Sequence, residues 1–194
     1  MIFCHGLRGS RLEHPPGEVL ASLPGLRLIC IDRPGYGLSS PLHERSFSDW
    51  PKDVEQLLCA LGIDRYLVLS FSIGGVYAMA LSAALPDRIY KLGLAGTVAP
   101  LKGVTDIYRN PERHIDRFML RNCAPDIALL QQPKLRALYL EALDEGGRFG
   151  SRRIAEEMIR LSRDWGFSLE AVRCPTHIWR GYRVKMALIS FISS

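Results

Sequence analysis

No two of the five cysteines (Cys4, Cys30, Cys59, Cys123 and Cys174) stand close in sequence, and none forms a C-x-x-C pair. The spacing and the odd count argue against a disulfide framework. The mostly apolar surroundings predict reduced core cysteines in a cytoplasmic protein. Met1-Ile-Phe-Cys4 is too short for the apolar core of a signal peptide, and the apolar run 186–192 is too short to span a bilayer, so no membrane association is expected. Lysine is scarce, 5 against 20 arginines, so the net charge of +5 rests on Arg residues spread along the chain. Their densest group, 109–121, is interleaved with Glu112 and Asp116, which reads as solvated surface charge and predicts no nucleic-acid partner. No His/Cys/Asp cluster has ligand spacing, so neither a metal nor another cofactor is expected. Repeats and low-complexity segments are missing too. What remains, 47% apolar and 23% charged over 194 residues, describes a soluble globular chain with one sizeable core.

Residues 66–85 organise that chain. Tyr66 to Phe71 is a short apolar run with β-branched and aromatic members, and reads as a buried strand. Val76 to Leu85 is rich in Ala and Leu and reads as a helix stopped by Pro86. Between them lies Ser70-Phe-Ser72-Ile-Gly74. A strand that turns straight into a helix places its central residue on a strained turn with little room on either side. Small residues two before and two after Ser72 meet that demand, and the helix then points free N–H groups at the turn.

Further strands are expected at Ile2–Cys4, Leu26–Ile31, Ile89–Ala95 and Cys174–Gly181, with helices at Glu18–Leu23 and from Ser48 to Gly62, the second capped by Ser48. Between residues 98 and 168 the periodicity is helical, with one apolar stripe through Leu135, Leu138 and Leu143 and another through Ile154, Met158 and Leu161. Strands alternating with helices predict an α/β class: a mostly parallel sheet of about five strands flanked by helices, with a helical insert.

Four segments carry a resemblance. Ser70-x-Ser72-x-Gly74 resembles the G-x-S-x-G nucleophile elbow of the α/β-hydrolase family, with serine at the first glycine. His5-Gly6-Leu7-Arg8-Gly9-Ser10 resembles that family's oxyanion loop. Asp32-Arg33-Pro34-Gly35-Tyr36-Gly37-Leu38-Ser39 resembles its D-R-P-G-Y-G-x-S loop, and Cys174-Pro175-Thr176 through Gly181 a C-P-T-x-x-x-x-G strand. The resemblance implies a core at 1–97, a helical cap at 98–168 and a core return strand with an atypical tail at 169–194. It implies hydrolysis of a small-molecule ester or other acyl substrate by Ser72, with the Leu7 and Ile73 N–H groups as oxyanion donors and His5, Gly6 and Gly74 shaping the site. A serine rather than an aspartate nucleophile sets it apart from the haloalkane dehalogenase and epoxide hydrolase branches.

The same resemblance implies an acid and a histidine after Gly181, and residues 182–194 contain no Asp, Glu or His. Against the family the chain is short at both ends, and the change of character after Gly181 is what a frameshift or misplaced stop leaves. His14 and His43 lie in loops near the expected mouth of the site, His114 in the cap, and His177 in a strand, where packing is expected of it. Some family members place the acid where this chain has Thr97, with Asp106 beyond it. A sheet of five contiguous strands has two free edges, which invite self-association. Two readings stand: a serine hydrolase that is weak or inactive in this form, and a non-catalytic remnant or small-molecule binding module of the same fold.

Overall fold

The computed structural model describes residues 1–98, 128 and 131–180. Within them, β1 (Ile2–Cys4), β2 (Ile29–Cys30), β3 (Tyr66–Phe71), β4 (Ile89–Ala95) and β5 (Thr176–Trp179) form one sheet in the order β2-β1-β3-β4-β5. Every pair is parallel. Parallel neighbours need crossover connections. These carry α1 (Gly17–Ala21), α2 (Trp50–Ala60) and α3 (Gly74–Ala84), and the long passage from β4 to β5 contains α4 (Pro133–Gly146) and α5 (Ser151–Leu161). The expected α/β class with five parallel strands is the observed one.

β3 and β4 are the long central strands, in register from Leu67 opposite Lys91 to Phe71 opposite Ala95. On β3, Tyr66, Val68 and Ser70 are buried and alternate with more open positions, the two-residue period of a strand. α3 lies against this centre. Gly74 through Ser82 are all buried, as expected of a helix that is apolar around its whole circumference. The apolar face of α5, Ile154, Ala155, Met158 and Leu161, joins the same core cluster as Val54, Tyr77 and Leu92.

Several boundaries differ from the sequence expectation. The strand expected over 26–31 contracts to Ile29–Cys30, because its neighbour β1 is only three residues long and offers two paired positions. Ser48 does not cap α2. A 3₁₀ turn, Phe47–Asp49, precedes the helix, and Ser46 and Asp49 close a capping box across it, while the Ser48 hydroxyl donates to the Gly166 carbonyl at 3.1 Å. α3 begins two residues earlier than its Ala-rich run, at Gly74. β5 is exposed along its length, with Trp179 at 56%. It pairs only with β4 among the described residues, so His177 does not pack inside, and its ring stacks on Trp179 instead. Of the cysteines, Cys4 and Cys174 are buried, Cys30 is half-buried and Cys59 is exposed, all free; Cys123 lies outside the described residues.

Candidate active site

The turn from β3 to α3 is tight because Gly74 and Ser70 make it possible. A Cβ on Gly74 would lie 2.1 Å from the Cys4 carbonyl oxygen and 2.6 Å from that of His5, so only glycine lets α3 start against the end of β1. Ser70 replaces the first glycine of the elbow pattern at little cost. It is 1% exposed, and its hydroxyl donates to the Gly93 carbonyl on β4 at 3.0 Å, which satisfies the one polar group it adds. Ser72 itself has φ = 53°, in the left-handed region that non-glycine residues seldom occupy. Its N–H donates to the Ala95 carbonyl at 2.8 Å and its carbonyl accepts from Gly75 at 3.1 Å, which holds the strained residue in place. The side chain is half-exposed, and its hydroxyl makes no hydrogen bond to the described residues.

Through Gly74, the Ser72–Ile73 turn touches the Cys4–His5 peptide. The loop that follows, Gly6 to Ser10, is closed by the Gly9 N–H donating to the Gly6 carbonyl at 3.2 Å. The amides of Leu7 and Ile73 lie in these two contacting segments, and neither makes a hydrogen bond to the described residues. Phe71, 43% exposed, closes over Gly6: a Cβ there would meet its ring carbon at 3.0 Å.

His5 is 1% exposed, and both ring nitrogens are engaged. Nδ1 lies 3.0 Å from the Gly6 carbonyl, and Nε2 accepts from the Arg33 N–H at 3.5 Å. This pairing requires the neutral Nδ1–H tautomer. Burial, with the Arg33 charge, holds the imidazole well below its usual range. His5 therefore braces the loop, as its place in the motif suggests. The other described histidines make no hydrogen bond to Ser72. His14 bonds to the Pro15 carbonyl, His43 faces Arg153 and His177 stacks on Trp179. His114 and Asp106 lie outside the described residues. Thr97 is buried, its hydroxyl has no hydrogen-bond partner among the described residues, and its side chain fills the space that a Cβ on Gly75 would need.

Three charged side chains also converge here: Arg33, from the Asp32–Ser39 loop motif, and Glu13 and Glu157, which stand in no motif. Glu13 accepts the Gly6 N–H. Burial pushes its carboxyl above the usual range, against the opposing pull of that N–H and of Arg33. Arg33 forms a buried ion pair with Glu157 of α5, both side chains at most 2% exposed. Burial alone would favour a neutral Glu157. The Arg33 charge and the Tyr36 and Tyr77 hydroxyls outweigh it and hold Glu157 below its ordinary value, so the pair is ionised. The signal for Glu157 was present in the sequence: it falls between Ile154 and Leu161 on the apolar face of α5, where an unpaired charge would be costly. Asp32 anchors its loop, as expected, by accepting from the Arg11 N–H at 2.6 Å, the Arg11 guanidinium at 2.7 Å and the Leu38 N–H at 3.0 Å.

Among the described residues no group of His, Cys, Asp and Glu side chains could hold a metal ion, and no helix is long and apolar enough to cross a membrane. A small cavity lies between Tyr36, Leu42, Arg153 and Arg160; at about 10 Å³ it has room for about one water, and Ser72 is not among the residues that line it.

Comparison with known proteins agrees with this geometry. Residues 1–136 match the family model for the alpha/beta hydrolase fold. Among curated relatives, a 2-succinyl-6-hydroxy-2,4-cyclohexadiene-1-carboxylate synthase of Yersinia pseudotuberculosis is 36% identical over 80 residues, 41% of this chain and 28% of the relative. An sn-1-specific diacylglycerol lipase of Mus musculus is 25% identical over 128 residues, 66% of this chain and 39% of the relative. The matches thus span well under half the length of these relatives. Of solved structures, the enol-lactonase of Burkholderia xenovorans LB400 superposes with a TM-score of 0.67 at 18% identity, over 91% of this chain and 70% of that one. A thermophilic esterase of Thermogutta terrifontis gives 0.61 at 21%, over 91% and 69%. At these identities the superpositions speak to the fold alone.

Proposed function

Since the chain belongs to the alpha/beta hydrolase fold family, we propose that it is built for acyl transfer to water from a small ester or related acyl substrate, with Ser72 as nucleophile. In this reading Ser72 Oγ attacks the acyl carbon, and its proton passes by way of solvent to the departing alkoxide. The carbonyl oxygen becomes an oxyanion that accepts from the N–H groups of Leu7 and Ile73. The alcohol leaves, and water then hydrolyses the acyl-serine. The observation that carries the reading is Ser72 at φ = 53°, with a hydroxyl, a following amide and a neighbouring loop amide that make no hydrogen bond to the described residues. Names among the relatives and neighbours, a lipase, an enol-lactonase and an esterase, fit the same substrate class. Residues 98–168 would then form the cover that selects the substrate.

No described histidine bonds Ser72, and this favours slow turnover. A nucleophile and oxyanion hole without a base retain on the order of 10³-fold acceleration over water. The same observation favours the second reading, a small-molecule binding module that does not turn over. A fluorophosphonate probe separates the two. Covalent labelling of the folded chain that disappears in Ser72→Ala supports the hydrolase; folded protein that stays unlabelled supports the binding module.

A further inference from the structure

The two peptides leading into Leu7 are held by the side chains of Glu13 and Arg33, from two separate parts of the chain. The Gly6 N–H donates to Glu13 Oε2 at 2.5 Å. The His5 carbonyl accepts from Arg33 Nη1 at 2.5 Å, and the Gly6 carbonyl from Arg33 Nη2 at 3.0 Å. Glycine at positions 6 and 9 leaves room for the carboxylate: a Cβ on Gly9 would lie 2.2 Å from Glu13 Oε2. The His5–Gly6 peptide is thus fixed at its carbonyl and at its N–H, and the Gly6 carbonyl, which shares its peptide plane with the Leu7 N–H, is fixed as well.

Arg33 has no freedom of its own. Its guanidinium lies between the rings of Tyr36 and Tyr77, at 4.7 and 4.6 Å from their centroids. Nε and Nη2 donate to the two oxygens of Glu157 at 3.1 and 3.2 Å, across 124 residues of sequence, and Tyr36 donates its hydroxyl to the same carboxylate. The planar fork of arginine is thereby divided between the loop and α5, a geometry that lysine cannot reproduce. If α5 lifts away, Arg33 keeps its loop contacts but loses the carboxylate that aligns its plane.

We propose that Arg33 and Glu13 are positioning residues for the Leu7 N–H, and that the Arg33–Glu157 pair makes the oxyanion loop depend on α5 being seated against the core. This rests on the reading of Leu7 as an oxyanion donor. It adds that the helical segment controls the competence of the site from behind the loop, without touching substrate. Donors must hold their place to about 0.5 Å, and loss of one oxyanion donor costs about 10²- to 10³-fold, so a loosened donor should cost about 10- to 100-fold.

The test uses the full chain and two readouts: amide hydrogen exchange at Gly6 and Leu7, and the saturating rate of fluorophosphonate labelling at Ser72. Glu13→Ala should speed Gly6 exchange by about tenfold or more, the expected result of freeing a buried amide. Glu13→Gln, which keeps an acceptor, should restore wild-type exchange. Arg33→Met/Glu157→Gln removes both charges of the pair together, so neither of its two ions is left buried without the other. This double variant should nevertheless exchange faster at the loop, and its saturating labelling rate should fall with the half-saturating probe concentration unchanged. A control, Leu58→Ala in α2, lowers stability and should leave loop exchange and labelling alone. Wild-type exchange at Gly6 in Glu13→Ala, or wild-type loop exchange in the double variant, overturns the proposal. If the wild-type chain is not labelled at all, the nucleophile reading falls, and exchange alone still decides whether these side chains set the loop.

Discussion

Replacing Ser72 with glycine should make the protein more stable while removing its reactive group. The residue is held at φ = 53°, where a side chain crowds its own backbone at about 1–2 kcal/mol. Glycine carries no such penalty, but it releases more freedom on unfolding and gives back about 0.5–1 kcal/mol. The Ser72 hydroxyl bonds to none of the described residues, so its removal forfeits nothing there, and the backbone bonds to Ala95 and Gly75 survive. The balance favours Ser72→Gly by about 0.5–1 kcal/mol, or about 1–4 °C in Tm for a chain of this size. Ser72→Ala keeps the Cβ and therefore the strain, and should match the wild type. The comparison is made by urea unfolding followed through tryptophan emission, with thermal melts alongside. A Ser72→Gly variant no more stable than Ser72→Ala would show that the elbow stores no strain in this serine, and would remove the main structural sign of a functional position.

Gly74→Ala should be among the most damaging single-methyl additions, costing about 3 kcal/mol, because the new carbon meets β1 backbone that cannot rotate away; a loss below 1 kcal/mol in denaturant titration would contradict the packing described. Asp49 is held at about pH 2 by the Ser46 N–H and Lys52, below its unfolded value of 3.8, so its contribution is full above pH 3.8 and fades as the pH falls toward 2. Asp49→Asn should therefore cost about 1 kcal/mol at pH 7, well under what the shift alone implies for a carboxylate one-third exposed, and should flatten acid unfolding between pH 4 and 2. Arg45 has a side chain 2% exposed whose three nitrogens lack hydrogen-bond partners among the described residues, with the Asp53 carboxylate at 3.9 Å. Arg45→Met should keep or raise stability by about 1 kcal/mol, and a loss above 2 kcal/mol in equilibrium unfolding would mean that stacking on Trp50 and Tyr77 outweighs the buried charge.

What the sequence disclosed was local. Strand, elbow and helix fit within residues 66–85, where a β-branched run, small residues and an Ala-rich run follow one another, and β4 matches its expected bounds of Ile89–Ala95. The parallel order followed from alternation. The misses are pairwise. β2 is short because β1 is short, which no window around Leu26 contains. Ser48 and Ser46 are equally good cap residues, and the choice fell to Ser46 because Gly166 offers Ser48 a carbonyl from 118 residues away. Arg33 was visible as a member of a loop motif, but its carboxylate partner stands on another helix and its hydrogen-bond acceptors are backbone atoms. Chemistry that joins a side chain to a distant peptide group leaves no trace in spacing.

The sheet order also sets an order of assembly. β1 to β4 are complete by residue 95, whereas β5 must return to Leu92–Ala95 after the passage from 96 to 175. Closing a loop of about 80 residues costs about 1.7 kcal/mol more than closing one of about 12, and the four-residue strand that closes it buries little in return. β5 should therefore dock last and leave first, as a separate opening unit at lower free energy than the β1–β4 centre. Trp179, half-exposed and stacked on His177, reports that event from within the strand. α5 lies inside the same passage, so the carboxylate that aligns Arg33 comes from the part of the chain that returns to the core after β4.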